Sequence, residues 1–303
     1  MTEGCKSDIL YYIKVQKQQK GSDLLKIGIV GLGLIGGSMA KSISKNTSHT
    51  CLGYDIDRAA VSGALAQEAI DAELTDSNIG MCDVIIVCLH PQQTIDYILE
   101  NVGRFGKNTI VIDTCGVKGA IVDAVDRVCA DNSISFVGCH PMAGREFSGF
   151  AYSIDNLFEK ASFIITRTPL TKDEAVEKIS ALAIETGFAK VVISDPEEHD
   201  RVIAFTSQLA HVVSSAYVKS PSLLKQSGFS AGSFKDLTRV AKLNEDMWTT
   251  LFLMNAEPLT DELDHIIDRL TEYRDAISAG DAKTLKALLK DGRELKELSN
   301  NSL

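Results

Sequence analysis

From Leu25 onward, short runs rich in valine and isoleucine alternate with longer stretches whose apolar positions recur at helical spacing. The runs KIGIVG, TCLGYD, DVIIVCL, NTIVIDT and ISFVGCH have strand length, and their near-continuous apolar character suits strands covered on both faces. The stretches between them predict helices over 34–45, 58–67, 92–102 and 118–130. Strand and helix in alternation predict a parallel sheet with helices on both sides. Two further strands, SFIITR and AKVVISD, bracket a helix that the TKDE of residues 171–174 opens as a capping box and that runs through Glu185. Past Asp195 the strand signal ends. PEEHDRVIAFTSQLAHVVSSAYVK predicts one long amphipathic helix with Pro196 in its first turn. The remainder reads as helical, with breaks near 220–233, 257–258 and 279–280. The pattern therefore predicts an α/β unit over 25–195 and an all-helical unit over 196–303. Residues 1–24 are polar with one apolar patch; they read as a tail or expression remnant, a candidate for disorder, with no function assigned.

A chain of 303 residues has room for two domains. Its formal net charge of −10 disfavours nonspecific nucleic-acid binding, so any anionic ligand needs individually placed cations. The seven cysteines are odd in number and lack C-x-x-C spacing. They read as reduced thiols of a cytoplasmic protein, with neither a disulfide frame nor a metal site. No apolar run reaches membrane-spanning length, and the N-terminus does not read as a signal peptide.

KIGIVGLGLIGGSMAKSI holds G-x-G-x-x-G at Gly31, Gly33 and Gly36, with a strand before it and a helix opening at Leu34 and Ile35. That is the dinucleotide-binding context of a Rossmann-type domain. Gly31 allows the tight turn, Gly33 lets a pyrophosphate approach the backbone, and Gly36 permits close helix–strand packing. The helix N-terminus offers free N–H groups to the phosphates. Asp55 ends the next strand, about 20 residues on, where a carboxylate binds the adenosine ribose and repels a 2′-phosphate. NAD is therefore expected over NADP, a preference that nearby Arg58 softens. Later strand ends, carrying Cys88 and Thr114, should line the same crevice.

His140 follows the strand ISFVGC and precedes Pro141, which biases it toward extended geometry. At that edge an imidazole can exchange a proton with a hydroxyl while hydride leaves the same carbon. From position alone, a strand-end histidine capped by its loop is an equal reading.

GLGLIGGSMA, DTCGVKGAI, GCHPMAGRE, EEHDRVIAFTSQLAH and SFKDLTRVAKLNEDMW together resemble the prephenate/arogenate dehydrogenase family of tyrosine biosynthesis. The resemblance runs from about Lys26 past Trp248. It implies a Rossmann-type dinucleotide-binding domain followed by an all-helical dimerisation domain, and a homodimer. It implies that His140 contacts the ring 4-hydroxyl and moves its proton, and that Arg239 binds substrate carboxylate. It places Ser207 and His211 in the substrate pocket, with Lys118 and the Gly116 position beside it. His199 matches the family's H-D pair; lying twelve residues before His211, it is rotated by about 120° and expected to point elsewhere. Three positions depart from the family pattern. Gly116 stands where many members carry serine, Gln208 where histidine is frequent, and Arg145 where a smaller residue is frequent.

The implied reaction is NAD-dependent oxidative decarboxylation of prephenate, with arogenate or dual cyclohexadienyl specificity as the alternative and tyrosine as a candidate feedback inhibitor. Aromatisation of the ring drives it, so no metal is needed. Arg239 suits bidentate carboxylate binding. Asp236, three residues earlier, could orient it or simply pair with it at the surface. Residues 233–236 read as a helix N-terminus, and Trp248 as core or dimer interface. A 3-hydroxyacid dehydrogenase would need a lysine on the long helix where Ser207 and His211 stand. A nucleotide sensor without catalysis is the remaining rival.

Overall fold

The computed structural model describes Tyr12–Ile13 and residues 24–301. Its strands are β1 (Tyr12–Ile13), β2 (Lys26–Val30), β3 (Thr50–Tyr54), β4 (Ala72–Glu73), β5 (Val84–Val87), β6 (Ile110–Asp113), β7 (Ser135–Pro141), β8 (Ser162–Thr166) and β9 (Lys190–Ser194). They form one sheet of order β1-β9-β8-β7-β6-β5-β2-β3-β4. Helices α1 (Leu34–Asn46), α2 (Arg58–Ala66), α3 (Pro91–Asn101), α4 (Gly119–Asp131) and α5 (Asp173–Glu185) accompany them. One apolar cluster lies beneath α1, α2 and α5, including Met39, Ile43, Ile179 and Leu182. The other lies beneath α3 and α4, including Ile98, Ile121, Val125 and Phe136. Strands covered on both faces leave no polar position to alternate with, which explains their continuous apolar runs.

The sheet is not parallel throughout. β7 and β8 pair antiparallel, with His140 opposite Ile164 and Pro141 opposite Phe163. A parallel return needs a long crossover, usually a helix. Residues 142–161 supply only a 3₁₀ turn, Phe150–Tyr152, so the chain comes back antiparallel. That segment folds over α1, where Ser42 Oγ donates to Asp155 O at 2.6 Å. The expected capping box at Thr171 does not form either. The N-cap of α5 is Lys172, and Thr171 Oγ1 instead accepts from Thr168 N. Within the expected tail, β1 pairs antiparallel with β9 and so belongs to the sheet edge; the rest of 1–23 lies outside the described residues.

After Ser194 the regular elements among the described residues are all helical. α6 (Pro196–Ile203), a π-helical turn (Ala204–Gln208) and α7 (Leu209–Tyr217) run on as the one long segment expected. Pro196 occupies its first turn and Asp195 caps it, accepting from Glu198 N at 2.8 Å. Next come α8 (Gly232–Thr238), α9 (Glu245–Met254), α10 (Ala256–Ser278) and α11 (Ala282–Asn301). The break expected at 257–258 falls at Asn255, because Pro258 fits the first turn of α10. The helix expected to start at Ser233 starts at Gly232, with Ala231 as N-cap. This half buries little by itself: its apolar cluster centres on Ala204, Leu209 and Leu259, and α9 and α11 carry no buried residue. Leu253, Leu289 and Leu298 are exposed.

Candidate active site

The crevice opens where the strand order reverses, between β2 and β5. Gly31 sits at φ +89°, and a Cβ there would come within 2.5 Å of Cys88 O. A Cβ on Gly36 would stand 1.9 Å from Gly31 O, so the first turn of α1 reaches the loop only as glycine. At Gly33, by contrast, an added Cβ meets nothing within 4 Å. The N-terminus of α1, with Leu34 and Ile35 at its start, has no side-chain cap. An open approach and uncapped N–H groups are what a pyrophosphate needs. Asp55 follows β3, with Oδ2 accepting from Leu32 N at 2.7 Å and Oδ1 from Asp57 N at 2.8 Å. The carboxylate is thereby pinned at the rim of the glycine loop. Cys88 and Thr114 stand partly exposed at the ends of β5 and β6. Arg58 departs from expectation: its two terminal guanidinium nitrogens both bond Glu73, so it does not present a free cation to a 2′-phosphate.

His140 lies near the end of β7, extended as Pro141 demands. Its Nδ1 lies 2.9 Å from His199 Nε2. His199 Nδ1 in turn lies 2.7 Å from Asp200 Oδ1. Asp200 also accepts from Lys118 N and Gly119 N, each at 2.8 Å, and so caps α4 from the helical half. Burial first, then the neighbouring His199 and the Lys118 ammonium, hold His140 well below the usual histidine range. Burial also lowers His199, against the opposing pull of Asp200. Both rings are therefore neutral at neutral pH. On the other side of His140, a Cβ on Gly116 would lie 3.8 Å from Nε2 and 3.9 Å from Leu251 Cδ2.

Lys118 does not face the crevice. Its side chain is wholly buried, bonding Asp113 and the Cys139 carbonyl, the latter at 2.7 Å. Substrate contact by Lys118 is therefore corrected to an internal ion pair. Asp113 is anchored further by Cys139 N at 3.1 Å and Cys115 N at 3.0 Å.

The second wall comes from α7, α9 and the residues after α8. His211 Nδ1 lies 2.9 Å from Ser207 O, and the His211 ring stacks on Trp248 with centroids 3.8 Å apart. Trp248 thus packs on His211 as well as on Phe252. Trp248 and Leu251 are three residues apart on α9 and share a face, so this helix spans from His211 to the Gly116–His140 edge. Arg239 is exposed and near enough to help depress the His211 pKa, which burial lowers first. Among the described residues Arg239 forms no ion pair with Asp236, which removes the surface-pair reading. Gln208 is buried and bonds Leu251 O and Asn255 Nδ2, so it braces helices and does not reach a ligand. Arg145 is exposed and donates to Tyr152 O at 3.3 Å.

Residues 39–193 match the family model described as prephenate dehydrogenase, nucleotide-binding domain, and residues 195–291 match prephenate dehydrogenase, dimerization domain. The Prephenate dehydrogenase of Bacillus subtilis is 32% identical over 281 residues, covering 89% of this chain and 74% of that relative. The chain belongs to the prephenate dehydrogenase family. The Cyclohexadienyl dehydrogenase of Zymomonas mobilis is 28% identical over 278 residues, 88% of this chain and 94% of the relative. A solved structure of prephenate dehydrogenase from A. aeolicus, with hydroxyphenyl propionate and NAD+, superposes with TM-score 0.82 at 28% identity. It covers 92% of this chain and 99% of that one. Membership makes this chain an oxidoreductase with a nucleotide-binding sheet domain ahead of helices. No helix among the described residues is long and apolar enough to cross a membrane.

Helical rotation correctly separated His199 from His211, yet it missed that His199 faces the sheet edge and meets His140. The H-D pair at 199–200 was the signal available. What it lacked was the partner 59 positions away. Asn255, which donates to Asp200 O at 2.9 Å, had no signal in the sequence.

Proposed function

We propose that the chain catalyses NAD-dependent oxidative decarboxylation of prephenate to 4-hydroxyphenylpyruvate, with arogenate as the alternative substrate. The observation that carries this is the placement of His140 at the end of β7 with Nε2 toward Gly116, on the strand-end edge that the glycine loop shares. Gly31, Gly33, Gly36 and the start of α1 would hold the pyrophosphate, and Asp55 would hold the adenosine ribose. NAD+ supplies the hydride acceptor. The chain supplies a base and cations. His140 Nε2 would take the 4-hydroxyl proton as hydride leaves that carbon; the C1–CO₂ bond then breaks, its electron pair makes the ring aromatic, and His140 returns the proton to the phenolate oxygen. Arg239 binds a substrate carboxylate, and His211 with Ser207 lines the side-chain end. A division at residue 195, with cofactor on the sheet half and substrate between the halves, is supported by the last strand ending at Ser194. The unburied apolar faces of α9 to α11 support a homodimer, and the net charge and reduced thiols support a cytoplasmic protein. Tyrosine, shaped like the products, is a candidate inhibitor of the same pocket.

The test follows NADH formation with prephenate and with arogenate, each with NAD and NADP. His140→Asn should lower kcat by about 10² to 10⁴ with NAD affinity nearly unchanged. Full activity in that variant removes His140 from the mechanism. Tight NAD binding by the parent without turnover of either substrate favours a nucleotide sensor.

A further inference from the structure

We infer that His199, held by Asp200, is a positioning residue that fixes the tautomer of His140 and keeps its Nε2 lone pair on the substrate side. The inference rests on the reading of His140 as the base.

The proton count along the cluster leaves one solution. Asp200 Oδ1 belongs to a carboxylate, so His199 Nδ1 carries the hydrogen and donates to it at 2.7 Å. A neutral His199 then presents a lone pair at Nε2. The atom facing that lone pair is His140 Nδ1 at 2.9 Å, which must therefore carry the hydrogen and donate. A neutral His140 is left with its lone pair on Nε2, toward Gly116. A charged His199 would reverse this, donating from both nitrogens and leaving Nε2 of His140 protonated and useless as a base. Burial keeps His199 neutral.

Asp200 cannot swing away, because both of its oxygens are fixed by the N-terminal amides of α4. Asn255 holds the Asp200 carbonyl from α10. The orienting contact thus reaches His140 from the helical half, whereas a serine at position 116 would approach the opposite nitrogen. With glycine there, no side chain of residue 116 competes for Nε2. When Nε2 accepts the hydroxyl proton, Nδ1–H stays donated to His199, so the ring keeps its orientation.

The groups around His140 are His199 from α6, with Asp200 behind it, Lys118 at the start of α4, with its partner Asp113 at the end of β6, and apolar Leu251 from α9. Of these, His199 and Lys118 disfavour its protonation. Removing His199 hydrates the ring and removes one of the two, so the His140 pKa rises.

His199→Ala is expected to lower kcat by roughly 10- to 100-fold, with KM and NAD affinity little changed. The acidic limb of kcat/KM should move to higher pH. In His199→Gln the amide oxygen can accept from His140 Nδ1 while its N–H₂ faces Asp200, so most of the parental kcat should return. Parental kcat and an unmoved limb in His199→Ala overturn the inference, as does His199→Gln no better than alanine. Histidine-selective ¹⁵N NMR of the unmodified protein needs no variant. It should find His140 protonated at Nδ1 and bare at Nε2, and the opposite tautomer refutes the inference. Failure here with His140→Asn still inactive leaves the base assignment standing; an active His140→Asn removes both.

Discussion

Lys118→Met separates two readings of one residue, because a substrate-binding lysine and an internal one fail differently. Lys118 and Asp113 are both fully buried, and the ammonium also donates to Cys139 O. Breaking a buried ion pair by removing one partner costs about 3–5 kcal/mol, since the remaining charge stays desolvated. Asp113 retains the amides of Cys115 and Cys139, which places the cost near the lower end, about 3 kcal/mol. Methionine fills most of the lysine stem, so little cavity is added. At roughly 2–4 °C per kcal/mol for chains of this size, Tm should fall by about 6–12 °C. Urea denaturation should give the same loss with an unchanged m-value. Adding Asp113→Asn should recover much of it by neutralising the orphaned charge. A substrate-binding lysine would instead raise KM and leave stability alone. A stability change below about 1 kcal/mol together with a large rise in KM would refute the internal ion-pair assignment.

Two further outcomes follow from the crevice. Arg239→Gln should raise KM by roughly tenfold or more while kcat changes less, because the guanidinium is exposed and has no Asp236 partner to lose; an unchanged KM in steady-state assays removes it from the carboxylate site. Asp55→Ala should weaken NAD binding and improve relative use of NADP. Arg58, committed to Glu73, should limit that gain, and an unaltered NAD/NADP preference would count against the ribose contact.

The strands and helices of the first half were legible because each burial environment writes its own period. Two-sided burial gives continuous apolar strands, and one-sided burial gives helical stripes. The glycine loop was legible for a harder reason: at Gly31 and Gly36 backbone atoms stand where a Cβ would be, so the residue type itself reports the geometry. The extended state of His140 was likewise dictated by the proline beside it. Local pattern had no access to the rest. The antiparallel β8 follows from where 142–161 packs, and β4 is too short to carry a period. Lys118 reads like any strand-end cation until the fold sets Asp113 and the Cys139 carbonyl around its amine. His199 reads like any helix histidine until α6 docks on the sheet edge. Charge burial and hydrogen-bond partnership are properties of pairs distant in the chain, so the tertiary structure alone decided that Lys118 is spent on an internal ion pair while Arg239 stays exposed, and that His140 and His199 meet through their ring nitrogens.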